Sequence, residues 1–294
     1  MDFCDVQRDD METVVTKNEI KTYKPEGNGL ASNSQSHKPE GNACLPARQG
    51  LASDSQSYKY PDDFINKIIC GDCLELIKSI PDKKIDCVIT DPPYGLNKNG
   101  IKNDKDLSLF YNILPDCYRV LKDDSYFITF FSTKYLPDIF KNNPFTYFWQ
   151  FVLYCPEGSV RSPIGWTKYM SCFIFKKGNP KLVQWKTDIF KDTPGKMVEP
   201  DEGFIDHPTP KPKHFIKEIM DMTTLENDLI LDPFIGSGST AVASKQLNRK
   251  FIGFEVQEKY CLLADKRLVK IKPDEKYRTE KEKTVGAQGY IQFV

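Results

Sequence analysis

The stretch Leu231-Asp232-Pro233-Phe234-Ile235-Gly236-Ser237-Gly238-Ser239-Thr240 decides how this chain is read. A short apolar run ends in an aspartate, a turn with two glycines follows, and the small residues Ala241–Ser244 open a helix. Glycines let backbone and ligand approach closely, and the free N–H groups at a helix start attract an anion. A lone G-x-G also serves as a plain strand-to-helix turn, so its meaning depends on what surrounds it. The third glycine of a dinucleotide fingerprint is missing, because Ala241 stands where it would fall. That argues against a pyrophosphate cradle, and so against a nicotinamide-dependent dehydrogenase. It favours a smaller anion, such as an amino-acid carboxylate.

Outward from this turn, apolar runs predict strands at Lys67–Cys70, Ile85–Thr90, Tyr126–Phe131, Phe148–Tyr154, Met170–Lys176, Asp228–Leu231 and Lys250–Phe254. Helical patterns fall between several of them, at Cys73–Ser79, Leu107–Leu121, Lys213–Thr224, Ser239–Leu247 and Glu258–Lys270. Such alternation indicates βαβ units and a mostly parallel sheet covered on both faces. In an open α/β sheet, ligands bind outside the carboxyl ends of the strands. Four of these runs end at an acid: Asp72, Asp91, Asp232 and Glu255. Each alone reads as a helix cap. Together they would line one cleft.

Asp91-Pro92-Pro93-Tyr94 directly follows a strand. Two prolines hold the backbone extended and remove two N–H donors. The Asp91 carboxylate and the Pro92 carbonyl can then act as a pair of acceptors, with the Tyr94 ring beside them. That set suits a planar heterocycle bearing an amino group. The bland reading is a proline turn with a buried tyrosine. Glu255 lies about 20 residues beyond the glycine turn and at the end of the next strand, where an acid takes ribose hydroxyls in nucleoside-binding folds.

The chain has 294 residues, 39% of them hydrophobic and 28% charged, enough for a real core. No apolar stretch is long enough to predict a membrane span. The net charge is zero, which counts against nucleic acid unless the cations cluster. They do cluster in Cys155–Lys181, where Arg161, Lys168, Lys176, Lys177 and Lys181 face one acid, Glu157, with Trp166 and Tyr169 among them. Arg161, Trp166 and Lys168 are the candidate DNA contacts, set against a solvated loop of no special role. The cysteines number nine, an odd count that suggests reduced thiols in a cytoplasmic protein rather than a disulfide framework. Cys70 and Cys73 have C-x-x-C spacing but no second ligand pair, so no metal is expected. Residues 1–59 repeat KPEGN and nearly repeat GLASNSQS. They hold few large apolar residues and read as a disordered leader, ahead of one folded domain over 60–294.

These pieces in this order resemble the amino-methyltransferases of DNA, in the permuted β-group arrangement where the catalytic motif precedes the cofactor loop. The resemblance rests on Gly71-Asp72-Cys73, Thr90–Gly95, His207–Pro212 (HPTPKP), Leu231–Thr240 and Gly253-Phe254-Glu255 with Tyr260. It implies a Rossmann-like S-adenosylmethionine-dependent methyltransferase fold, a mostly parallel seven-stranded sheet with helices on both faces. It implies S-adenosylmethionine as cofactor: Asp72 near its adenine, Asp232, Phe234, Gly236, Gly238 and Ser239 around it, Thr209 and Lys211 on its carboxylate, and Glu255 on its ribose. It implies DNA as the partner, with a small target-recognition region at about 155–206, and leaves room for a homodimer and a restriction endonuclease partner. Pro210 stands where the family usually has Gln, and Ser171-Cys172 where it often has His-Glu.

Asp91, Pro92, Pro93 and Tyr94 would then grip and stack an adenine flipped from the duplex, whose N6 is the methyl acceptor. Asp rather than Ser at position 91 tilts the family reading toward adenine. Cytosine N4 on the same scaffold, an RNA substrate and an inactive nucleic-acid-binding module are the alternatives. All of this requires that the Asp91 loop and the glycine turn open into a common pocket.

Overall fold

A computed structural model of the chain describes residues 58–93, 106–156, 160–162, 164–191, 198–199 and 203–273. Residues 1–57 of the expected leader lie outside them, as does Tyr94.

The strands are β1 Lys67–Cys70, β2 Ile85–Thr90, β3 Leu121–Phe131, β4 Thr146–Tyr154, β5 Val160–Ser162, β6 Gly165–Thr167, β7 Tyr169–Lys177, β8 Ile189–Lys191, β9 Val198–Glu199, β10 Gly203–Phe204, β11 Leu229–Asp232 and β12 Lys250–Glu255. The α-helices are α1 Cys73–Leu76, α2 Ser108–Val120, α3 Lys213–Thr223, α4 Ser239–Gln246 and α5 Glu258–Lys270. The main sheet runs β1-β12-β11-β2-β3-β7-β4-β8. Its pairs are parallel except where β7 lies antiparallel between β3 and β4. β5 pairs with β6 and β9 with β10 as two small hairpins.

The central strands are apolar on both sides because both sides are covered. Along β2, Ile85 and Val88 pack into one core with Phe110, Ile113 and Leu114 of α2. Cys87 and Ile89 pack into a second core with Phe215, Ile216 and Ile219 of α3 and Ala243 of α4. Helices on both faces are the three-layer solution for a parallel sheet.

One expectation needs correcting. The sheet has eight strands rather than seven, because β8 adds to β4 through Val152↔Ile189 to Tyr154↔Lys191. Its anchor is Asp188, whose carbonyl accepts from the Val152 N–H at 2.9 Å and whose carboxylate accepts from Trp149 Nε1 at 3.0 Å. A strand of three residues leaves too little alternation to see in sequence. Within the span 155–206, β7 and β8 both belong to the main sheet.

The order also fixes where a ligand can bind. From β2 the chain moves through α2 to β3 on one side, and from β11 through α4 to β12 on the other. Neighbouring strands β11 and β2 are therefore the point where the winding reverses. A crevice opens at such a point, outside the carboxyl ends of the strands.

Candidate functional site

At the end of β11, Asp232 is almost fully buried, 4% exposed. Its Oδ1 accepts from the Phe234 N–H at 3.1 Å and from Thr90 Oγ1 at 2.7 Å. One carboxylate thus shapes the glycine turn and ties it to the end of β2. Burial pushes its carboxyl up to about 7, against the opposing pull of its bonds from Thr240, Thr90 and Phe234. In the turn, Gly236 has φ +51° and Gly238 φ +85°. A Cβ on Gly238 would sit 2.8 Å from the Ala264 Cβ, so only glycine fits. The turn is stitched by Ile235 N–H to the Phe254 carbonyl and Gly238 N–H to the Ile235 carbonyl, both 2.9 Å. α4 begins at once, with Ser239 buried in its first turn.

The adjacent ends complete this half. Glu255 closes β12, partly buried, and Oε1 accepts from the Gln257 N–H at 2.8 Å. Burial raises its carboxyl, opposed by backbone N–H groups including those of Gln257 and Gly236. The Gly71 N–H bonds the Glu255 carbonyl at 2.9 Å, joining β1 to the same rim. Asp72 caps α1, its Oδ1 accepting from the Leu74 N–H at 2.9 Å, and it borders the pocket as well.

At the end of β2, the Asp91 carboxylate is partly exposed and its Oδ2 is paired with the Lys211 ammonium. Lys211 sits on the extended segment leading into α3, 5.5 Å over the Phe130 ring. The sequence reading placed this ammonium against a cofactor carboxylate; the structure places it on Asp91. Two residues earlier on that segment, the Thr209 N–H donates to His207 Nδ1 at 3.2 Å, and the His207 ring packs edge-on against Tyr260 at 4.6 Å. Burial, then the charges of Lys211, Arg267 and Lys259, hold His207 down at about 4, so it is neutral near pH 7.

One pocket collects these pieces. Asp91, Pro92 and Pro93 border it together with Asp72, Thr209, Lys211, Asp232, Phe234, Gly236, Ser239 and Glu255. The Asp91 loop and the glycine turn do open into a common space, the condition on which the reading hung. Gly238 is not on the wall; its part is conformational. The sequence reading missed Thr90, His207, Phe130 and Arg267. Thr90 and His207 lay inside motifs already quoted but were given no part. Phe130 was read only as strand core.

The basic strip behaves differently. In the β5–β6 hairpin Arg161 pairs in register with Trp166, whose ring is 68% exposed. Lys168 is exposed and its ammonium donates to the Pro156 carbonyl at 3.1 Å. Tyr169 pairs with Tyr154 at the end of β4, so this group lies at the same sheet edge as the pocket. Lys176 and Lys177 lie at the other end of β7, beside Ser125 and Tyr126 at the far edge. Lys177 is buried, its ammonium on the carbonyls of Tyr118 at 2.8 Å and Leu121 at 2.6 Å. The strip therefore divides, and only its Arg161–Tyr169 part faces the site's side. Among the described residues no helix is long and apolar enough to cross a membrane, and no cluster of metal-ligating side chains forms. Burial pushes the Cys73 thiol up to about 12.

Comparison with known proteins agrees with this geometry. The family model for N6/N4 methylases, described as DNA methylase, matches residues 85–182 and 174–266. The DNA adenine methyltransferase YhdJ of Escherichia coli K12 is 29% identical over 241 residues, covering 68% of this chain and 82% of that one. The solved complex of M1.HpyAVI with SAM is 26% identical, with a TM-score of 0.54, over 69% of this chain and 98% of that one. The cytosine-N4-specific PvuII DNA methyltransferase shares the fold at a TM-score of 0.59 and 20% identity, over 75% of this chain and 93% of that one.

Proposed function

The chain belongs to the N6/N4 DNA methylase family, and from that premise we propose that it methylates the exocyclic N6 of an adenine turned out of the duplex, using S-adenosylmethionine. The observation that carries this reading is the meeting of the Asp91–Pro93 loop and the glycine turn in one pocket, on adjacent strands β2 and β11.

The residues present fit the cofactor. Gly236 brings bare backbone to the wall, and Gly238 behind it lets the turn close against Ala264. The start of α4 offers N–H groups to an anion. The Glu255 carboxylate suits ribose hydroxyls, and Phe234 supplies an apolar surface. Lys211 and Thr209 border the same pocket. When bound, the cofactor supplies an electrophilic methyl carried on sulfonium.

The chain's own part is to present the nucleophile. The N6 lone pair of adenine is delocalised into the ring, so the amine is a poor nucleophile. Asp91 and the Pro92 carbonyl accept its two N–H bonds, which localises the lone pair and fixes its direction. The gain is positional and electrostatic, with no covalent intermediate on the protein. Lys211 pairs with one Asp91 carboxylate oxygen and so fixes the acceptor in place, and the proton that N6 must shed once it carries the methyl leaves to solvent. Tyr94 stacks on the base. Arg161, Trp166 and Lys168 meet the DNA backbone and bases beside the pocket.

Adenine is favoured over cytosine by the Asp at position 91 heading the D-P-P-Y motif. Incubation of the full chain with labelled S-adenosylmethionine and unmodified DNA, followed by nucleoside mass spectrometry, tests this. N6-methyladenine is expected. N4-methylcytosine would move the substrate to cytosine, and cofactor binding without any product would leave an inactive reader of DNA.

A further inference from the structure

Arg267 lies behind the pocket, on the inner face of α5, and is 4% exposed. One nitrogen, Nη1, donates to the Ser237 carbonyl at 2.6 Å. The same nitrogen lies 3.3 Å from the hydroxyl oxygens of both Ser237 and Ser239. Those two serines alternate with Gly236 and Gly238 in the turn, and both border the pocket. α5 is held against the turn at this point, since Ala264, one helical turn before Arg267, is the residue that leaves no room for a side chain at Gly238.

Burying a guanidinium costs free energy unless its donors are met. Here Nη1 is met by oxygens of the glycine turn. A hydroxyl whose oxygen accepts from a cation has its own proton turned elsewhere, and it becomes a better donor on its free side. For Ser237 and Ser239 the free side includes the pocket. The cation's field also reaches the pocket: Arg267 is one of the charges that depress the protonation of His207.

We propose that Arg267 is a positioning residue for the cofactor's anionic end: through Ser237 and Ser239 it fixes the glycine turn and aims donor hydroxyls at a carboxylate it does not itself touch. This rests on the reading of the pocket as the S-adenosylmethionine site. Nothing in the D-P-P-Y, HPTPKP or glycine motifs reveals it, because the residue comes from α5, 28 positions beyond Ser239.

Calorimetric titration of the full chain with S-adenosylhomocysteine and with its decarboxylated analogue tests the idea. For Arg267→Met, losing hydrogen bonds from a charged donor should weaken S-adenosylhomocysteine roughly ten- to hundredfold and leave the decarboxylated analogue within about twofold of wild type. Arg267→Lys should recover part of the difference. Should R267M fail to fold, as judged by its melting curve, Ser239→Ala read with the same two ligands replaces it, with the same selective loss expected. Equal weakening of both ligands, or of neither, overturns the proposal. Failure of the wild-type chain to bind S-adenosylhomocysteine at all would instead overturn the reading of the pocket.

Discussion

Asp91 and Asp232 end adjacent parallel strands, one residue type at one edge of one sheet, yet their surroundings pull them apart. Asp232 is sealed in, shared between the Phe234 N–H and the Thr90 hydroxyl, and burial raises its carboxyl to about 7. Asp91 is partly exposed and paired with an ammonium. The carboxylate at Asp232 holds backbone in place, and the one at Asp91 is the proposed ligand contact. A carboxylate at a strand end thus becomes structural or chemical according to what covers it, not according to its motif.

Replacing each acid in turn should break the symmetry between them. Asp91→Ala should cut methyl transfer by roughly a hundred- to thousandfold, the usual cost of losing a preorganised polar group. Cofactor affinity, measured by titration, should stay close to wild type; near-normal turnover would remove Asp91 from the chemistry. Gly238→Ala probes the holding side alone. The new methyl meets Ala264 at a φ of +85°, and unfolding in urea should show a loss of about 1–3 kcal/mol. An unperturbed midpoint would mean that α5 is not pressed against the turn.

Asp232→Asn sharpens the contrast through pH. The carboxyl of Asp232 is raised above its unfolded value of about 3.9 to about 7 in the fold. The unfolded chain therefore loses its proton first as pH rises. The stability this group contributes is complete below about pH 4 and is lost as pH climbs through about 7. His207 acts in the opposite sense, since its folded value is depressed to about 4 and its share is lost as pH falls through that range. Total stability mixes the two, so the difference between wild type and D232N isolates Asp232. That difference should move against the wild type between pH 4 and pH 7, and a level difference would refute the raised value. The smallest effect should come from the outer rim. Lys168→Glu should lower the slope of log affinity for DNA against log salt by about 1 for each phosphate no longer neutralised, while Lys176→Glu, at the far edge, should leave it unchanged.

The fold was legible where burial is two-sided. The central strands announce themselves as unbroken apolar runs, and their helices follow at the expected spacing. The chemical edge was legible because prolines and glycines are costly except where a turn needs them, and here they fall directly after strands. What escaped detection escaped for local reasons. β8 is three residues held by one aspartate. Lys177 reads as a surface cation, yet it points inward to cap the carbonyls at the end of α2 and the start of β3. Arg267 sits on the stripe of α5 that buries Tyr260, Cys261 and Ala264, and a cation on an apolar stripe is a weak signal unless one asks what it bonds. Asp72 shows the converse: a motif position whose side chain serves as a helix cap.

The reversed direction of β7 has a consequence of its own. A chain that leaves β4 and returns antiparallel must make its connection at the edge where β4 ends, which is the edge bearing the pocket. Length inserted there adds to that edge, while strands β1, β12 and β11 lie at the other side of the sheet. The β5–β6 hairpin occupies that connection. Such a hairpin can change in length or sequence while the parallel half of the sheet keeps its shape.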